Sequence, residues 1–230
     1  MIQVQLGLLA FFLAFTFGFA AQRFNDRRVL IIEEANSIGT TYLRADFLQD
    51  ANKKEVQHLL RQYVDVRIKL ARQQSEHLDR QNVDQALADS AKLQNGLWAQ
   101  AVDAGRQHPD SPVIALFIDS LNQTIDLQSE RVSAERSARI PEIIWIVLYA
   151  ITFLGMTGLG YQFGNAKTRN WVISSMVVFS YALVMMMIAD LDRPSQGFFR
   201  SSQKPLTDLS KQIGSELKDP GVSTTAQPQK

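Results

Sequence analysis

The sequence predicts an all-α polytopic membrane protein, with three transmembrane helices and a helical cytoplasmic domain between the first and second. Three observations predict it. Apolar stretches open the chain at 1–21 and recur at 142–163 and 171–189, nearly free of charge. The region between them, 23–139, is dense in Arg, Lys, Glu, Asp and Gln. Glycine and proline are sparse between the apolar stretches, which favours helix over sheet.

Each span has its own justification. A bilayer core takes about 20 apolar residues of helix, and residues 143–163 and 171–189 meet that length. Only 164–170 separate them, so they form a membrane hairpin. Trp145, Tyr149, Tyr161 and Trp171 lie near its ends, as an aromatic belt does. The opening stretch reads as a retained anchor rather than a signal peptide, because its positive charges, Arg23, Arg27 and Arg28, follow the apolar run. The expected divisions are a first span at 1–22, a cytoplasmic helical domain at 23–140, spans at 141–163 and 171–190, an external loop at 164–170, and a tail at 191–230. The tail is expected to be disordered after about residue 218.

Orientation follows from charge. Arg23, Arg27, Arg28, Arg136, Arg139, Arg193, Arg200 and Lys204 flank one side, against Lys167 and Arg169 on the other. The positive-inside rule then places the middle domain and the tail in the cytoplasm and the N-terminus outside. The expected location is an inner (plasma) membrane. The chain totals 24 basic and 23 acidic residues, so a bulk attraction to nucleic acid is not indicated. It has no cysteine, which excludes disulfides and thiolate metal sites.

The middle domain repeats apolar residues at helical spacing. Val56, Leu59, Tyr63, Val66 and Leu70 form one seam, and Leu87, Leu93, Leu97, Trp98 and Ala101 a looser one. Ser111-Pro112 has the form of an N-cap followed by proline at the first helical position, opening a helix with Ile114, Phe117, Leu121, Ile125, Gln128 and Val132 on one side. Pro141 marks a break at the membrane surface. In the tail, Leu206, Leu209, Ile213 and Leu217 fit one helical face. Faces of this kind must pack on each other or on other subunits, so the expected partners are the lipid bilayer and further copies of the chain.

Three places hold candidate functional residues. If the first helix continues past the membrane, Glu33, Asn36, Thr40 and Arg44, with Ser37, share a polar stripe that could face an aqueous pathway, and Gly39 marks a close approach. Asp190, Asp192 and Arg193 form a charged motif where the last span ends; structural pairing, with Arg193 or Arg44 as partners of Asp190, is favoured over cation binding. Phe12, Phe15 and Phe19 could form a hydrophobic constriction, although lipid-facing phenylalanine is commoner. The three histidines show no zinc spacing, and no phosphate-binding loop or nucleophile motif is present. No enzyme activity, cofactor or metal is expected.

Several stretches carry a family resemblance. They are Leu9-Ala10-Phe11-Phe12-Leu13-Ala14-Phe15-Thr16-Phe17, Arg23-Phe24-Asn25-Asp26-Arg27-Arg28, the run from Glu34 to Asp46, Tyr63-Val64-Asp65-Val66-Arg67, Ile140-Pro141 and Asp190-Leu191-Asp192-Arg193-Pro194. Together they resemble the bestrophin-like family of bacterial membrane proteins, over about residues 6 to 215. The resemblance implies a distant similarity to bestrophins, which are pentameric anion channels with a mainly helical cytosolic part. The functional expectation is an oligomeric ion channel for anions; the alternative is a non-conducting membrane scaffold or sensor whose cytoplasmic helices bind a partner. Family members usually carry a further membrane helix upstream, giving four spans with both termini inside. Its absence implies a start placed too late or a shortened chain.

Overall fold

No proline falls between residues 2 and 44, so nothing interrupts the backbone hydrogen bonding there. The result is one helix of 43 residues, α1 (Ile2–Arg44). At 1.5 Å per residue it is about 65 Å long, roughly twice a bilayer's hydrocarbon core. Six further helices follow among the described residues: α2 (Asp50–Ser75), α3 (Arg80–Gln107), α4 (Pro112–Ser137), α5 (Glu142–Asn165), α6 (Trp171–Asp192) and α7 (Lys204–Ile213). The computed structural model describes residues 2–75, 80–137, 140–165, 171–192 and 202–214. The expected disorder after residue 218, most of the 164–170 loop, Arg193 and Leu217 lie outside these residues.

The breaks between helices have local causes. A 3₁₀ turn, Ala45–Phe47, ends α1, and Leu48 then turns extended at φ −81° and ψ 160°. Asp46 accepts a hydrogen bond from Gln57 at 3.1 Å and pairs with Lys53 at 2.9 Å, which raises the Lys53 pKa. Ser111 stands at the N-cap position of α4: its carbonyl accepts from the Ala115 amide at 3.1 Å, with Pro112 next in the chain. Gly214 ends α7 in the left-handed region at φ 67°, where a side chain would be strained, and its amide bonds back to the Ser210 carbonyl.

Two compact units divide the chain. One comprises Met1–Ile31 with Gln128–Ser202, the other Ile32–Leu127 with Gln203–Lys230. In the first, Leu9, Leu13 and Ala20 of α1 bury against Ile140, Leu148 of α5, and Ile188 and Leu191 of α6. Much of the surface around that core is apolar: Phe11, Ile143, Phe153, Phe179 and Met186 are each more than 60 % exposed. Among the described residues, two helices are long and apolar enough, by length and composition, to cross a membrane: Gly7–Phe47 and Ser175–Asp192. In α5, a helix of 24 residues, the described apolar stretch is Glu142–Gly158.

In the second unit α2 is the central element and packs on α3, on α7 and on the 3₁₀ turn. Val56, Tyr63 and Leu70 of the expected seam are buried, whereas Leu59 and Val66 are half-buried, because Leu60, Val64, Ile68 and Ala71 widen the face. Gly96 of α3 sits where an added Cβ would lie 3.3 Å from Leu59, which brings α2 and α3 close. On α7, Leu206, Leu209 and Ile213 are buried, as their spacing predicts. Gly39 of α1 meets that helix: a Cβ there would stand 3.3 Å from Leu209 Cδ1. Gly39→Val forces the Leu209 side chain aside, at an expected cost of about 1–3 kcal/mol. Limited proteolysis checks this, since α7 should be cleaved faster in the variant than in wild type.

Candidate functional site

The polar stripe begins where α1 leaves the apolar stretch. Glu33, Asn36 and Thr40 are exposed on it, while Arg44 is half-buried and turned toward α4. Arg44 Nη1 donates to the Leu116 carbonyl at 2.6 Å and lies 3.7 Å from Asp119. Ser37, grouped with the stripe by spacing, is buried instead. One residue is 100° around a helix, so the neighbouring row of Glu34, Ser37 and Thr41 faces inward.

That inward row makes a buried polar network within the second unit. Arg67 Nε donates to Glu34 Oε1 at 2.7 Å, Arg67 Nη2 reaches Glu34 Oε2 at 3.4 Å, and the Tyr63 hydroxyl lies 3.5 Å from Glu34 Oε1. The Glu34 side chain is fully buried and that of Arg67 is 1 % exposed. A buried ion pair persists only when its desolvation is offset by close geometry and further hydrogen bonds. A second cluster lies along α1 and α4: the Ser37 and Thr124 hydroxyls are 2.8 Å apart, and those of Thr41 and Thr124 are 3.1 Å apart. The Ser120 carbonyl accepts from both hydroxyls, from Thr124 at 2.9 Å and from Ser37 at 3.4 Å.

Sequence spacing missed Glu34, Thr41, Arg67, Ser120 and Thr124. Arg67 had a usable signal, because it falls between Tyr63 and Leu70 on the apolar seam of α2. A charged residue in a seam calls for a buried counter-charge.

On the first unit's part of α1, Phe15 and Phe19 are exposed and their rings meet edge to face at 4.7 Å. Phe11 stacks on Phe15 at 6.3 Å and extends the row. Phe12 is half-buried and packs on the apolar core. The exposed row is therefore Phe11, Phe15 and Phe19. Its register continues along the helix: Phe15, Phe19, Gln22, Asp26, Val29, Glu33, Asn36 and Thr40 alternate spacings of four and three, and each is exposed.

Of the charged motif at the end of α6, Asp192 makes a defined contact. Asp192 Oδ1 accepts the Ile140 amide at 2.7 Å, fixing the residue before Pro141. Arg27 Nη2 donates to the Leu191 carbonyl at 2.7 Å, satisfying a last-turn carbonyl of α6. Asp190 is half-buried.

Among the described residues every element is helical and two helices reach membrane-crossing length, a pattern compatible with a helical membrane protein. Residues 4–206 match the model of the Bestrophin-like domain, so the chain belongs to the bestrophin-like family. No curated protein and no solved structure matches it.

Proposed function

We propose that this chain is a multi-pass protein of a bacterial inner membrane and one subunit of a homo-oligomeric ion channel, with α1 lining the pathway. The observation that carries this reading is the exposed row on α1. A seam of alternating four and three spacing is the pattern by which helices of separate copies meet. Here the row is aromatic within the apolar stretch, through Phe15 and Phe19, and polar beyond it, through Gln22, Asp26, Glu33, Asn36 and Thr40. Ringed by copies, the first part is a constriction that gates by dewetting and the second an aqueous vestibule. α5 and α6 supply the remaining two of three spans, and the middle region and tail lie in the cytoplasm. The family resemblance implies anions. The carboxylates of Asp26 and Glu33 on the row favour cations instead, and the geometry supports the second.

The test uses the absence of native cysteine. Single cysteines at Phe19 and Thr40 should form covalent dimers on oxidation in membranes, and liposomes carrying the protein should pass ions above protein-free controls. Cross-linked protein without flux would leave the scaffold or sensor reading. Monomers without flux would remove the oligomeric channel altogether.

A further inference from the structure

Arg23 and Arg27 lie one helical turn apart on α1, just past the end of its apolar stretch. Arg27 is 6 % exposed and Arg23 half-buried. Arg27 spends Nη2 on the Leu191 carbonyl. Three other guanidinium nitrogens, Arg23 Nη1, Arg27 Nε and Arg27 Nη1, are buried with no hydrogen-bond partner among the described residues. Charged donors shut away from water without an acceptor are costly. The charges that act on Arg27 are Asp192, Glu135, Asp26 and Arg23 itself. Each of those carboxylates already has a donor: Asp192 holds the Ile140 amide, Glu135 holds Arg131 Nε at 3.2 Å, and Asp26 holds Gln22 at 2.8 Å.

We propose that Arg23 and Arg27 form a binding site for a phosphate-class oxyanion, supplied by a phospholipid headgroup or by free phosphate. A phosphate group offers several acceptor oxygens and a negative charge, and guanidinium groups suit it in geometry and charge. The residues stand where an apolar span gives way to polar chain, the depth of lipid phosphates. The lipid source rests on the membrane-spanning reading; the free-phosphate source does not, so the two fail separately.

The full chain, purified in nonionic detergent without phosphate, is titrated with inorganic phosphate, short-chain phosphatidylglycerol, diacylglycerol of the same chain length, and potassium chloride at matched ionic strength. Its thermal unfolding midpoint is the readout. A saturable rise is expected with phosphatidylglycerol, with inorganic phosphate or with both, and none with diacylglycerol or chloride. Phosphatidylglycerol alone identifies a headgroup site; a response to inorganic phosphate identifies a site for the oxyanion itself. Arg23→Gln should weaken the apparent affinity about tenfold, the worth of one charge-assisted hydrogen bond. Arg28→Gln, at an exposed position on the same helix, should leave it unchanged. Arg27→Gln should abolish the response. If that variant does not fold, Arg23→Gln carries the test. No rise with either phosphate probe, or a rise that Arg23→Gln leaves intact, would overturn the site.

Discussion

Arg67→Met, with Glu34 left in place, should destabilise the helical unit by about 3–5 kcal/mol, the usual result of removing one partner of a buried ion pair. For a chain of this length that corresponds to a fall in the unfolding midpoint on the order of 10 °C. The physical cause is the carboxylate left behind. Glu34 is fully buried, and in the native chain its two oxygens meet Arg67 Nε and Nη2. Without the guanidinium, the same carboxylate must stay desolvated, take up a proton or open the core to water. Circular dichroism during heating measures the loss.

The double variant Glu34→Leu, Arg67→Met distinguishes this account from simple loss of packing. Replacing both charges by apolar groups of similar size removes the desolvation along with the attraction, and such swaps are often neutral or stabilising. Stability should therefore return to near the wild-type midpoint or above it. If the double variant is as unstable as Arg67→Met, the cost lies in the shape of the arginine stem, and the ion pair contributes little. The cycle reads the coupling between the two residues directly.

These two residues also mark where the sequence was legible and where it was not. The α7 face was readable because Leu206, Leu209 and Ile213 repeat locally and no polar residue competes with them. The Ser111-Pro112 start of α4 was readable because a cap is decided within a few residues. Along α1, polar residues occupy two adjacent rows, Glu33-Asn36-Thr40 and Glu34-Ser37-Thr41, only 100° apart. Local pattern cannot say which row turns inward. The choice is made by distant partners: Arg67 lies 33 residues from Glu34 and Thr124 lies 83 from Thr41. Likewise Phe12 and Phe11 differ by one step, and only the packing of α5 and α6 on α1 sends Phe12 to the core. Heptad spacing specified a stripe, while the burial of its neighbours decided which stripe remained open.

Glu33→Lys should change the ion selectivity of reconstituted protein on the order of tenfold or more. Glu33 is exposed and on the row that would face the pathway, so its charge acts on a passing ion without being matched inside the chain. A unit charge about 4 Å from an ion is worth about 1 kcal/mol even at the dielectric constant of water. Reversing its sign changes that term by about 2 kcal/mol per subunit in reach, and screening removes only part of it at such a distance. The reversal potential in a salt gradient should therefore move toward anions, from a cation-favouring wild type. Glu34→Gln is the contrasting substitution: Glu34 faces the buried network, so it should alter stability and leave the reversal potential in place. A wild type that already prefers anions, with Glu33→Lys unchanged, would take the Glu33 row out of the pathway and leave the conducting surface to another face of the fold.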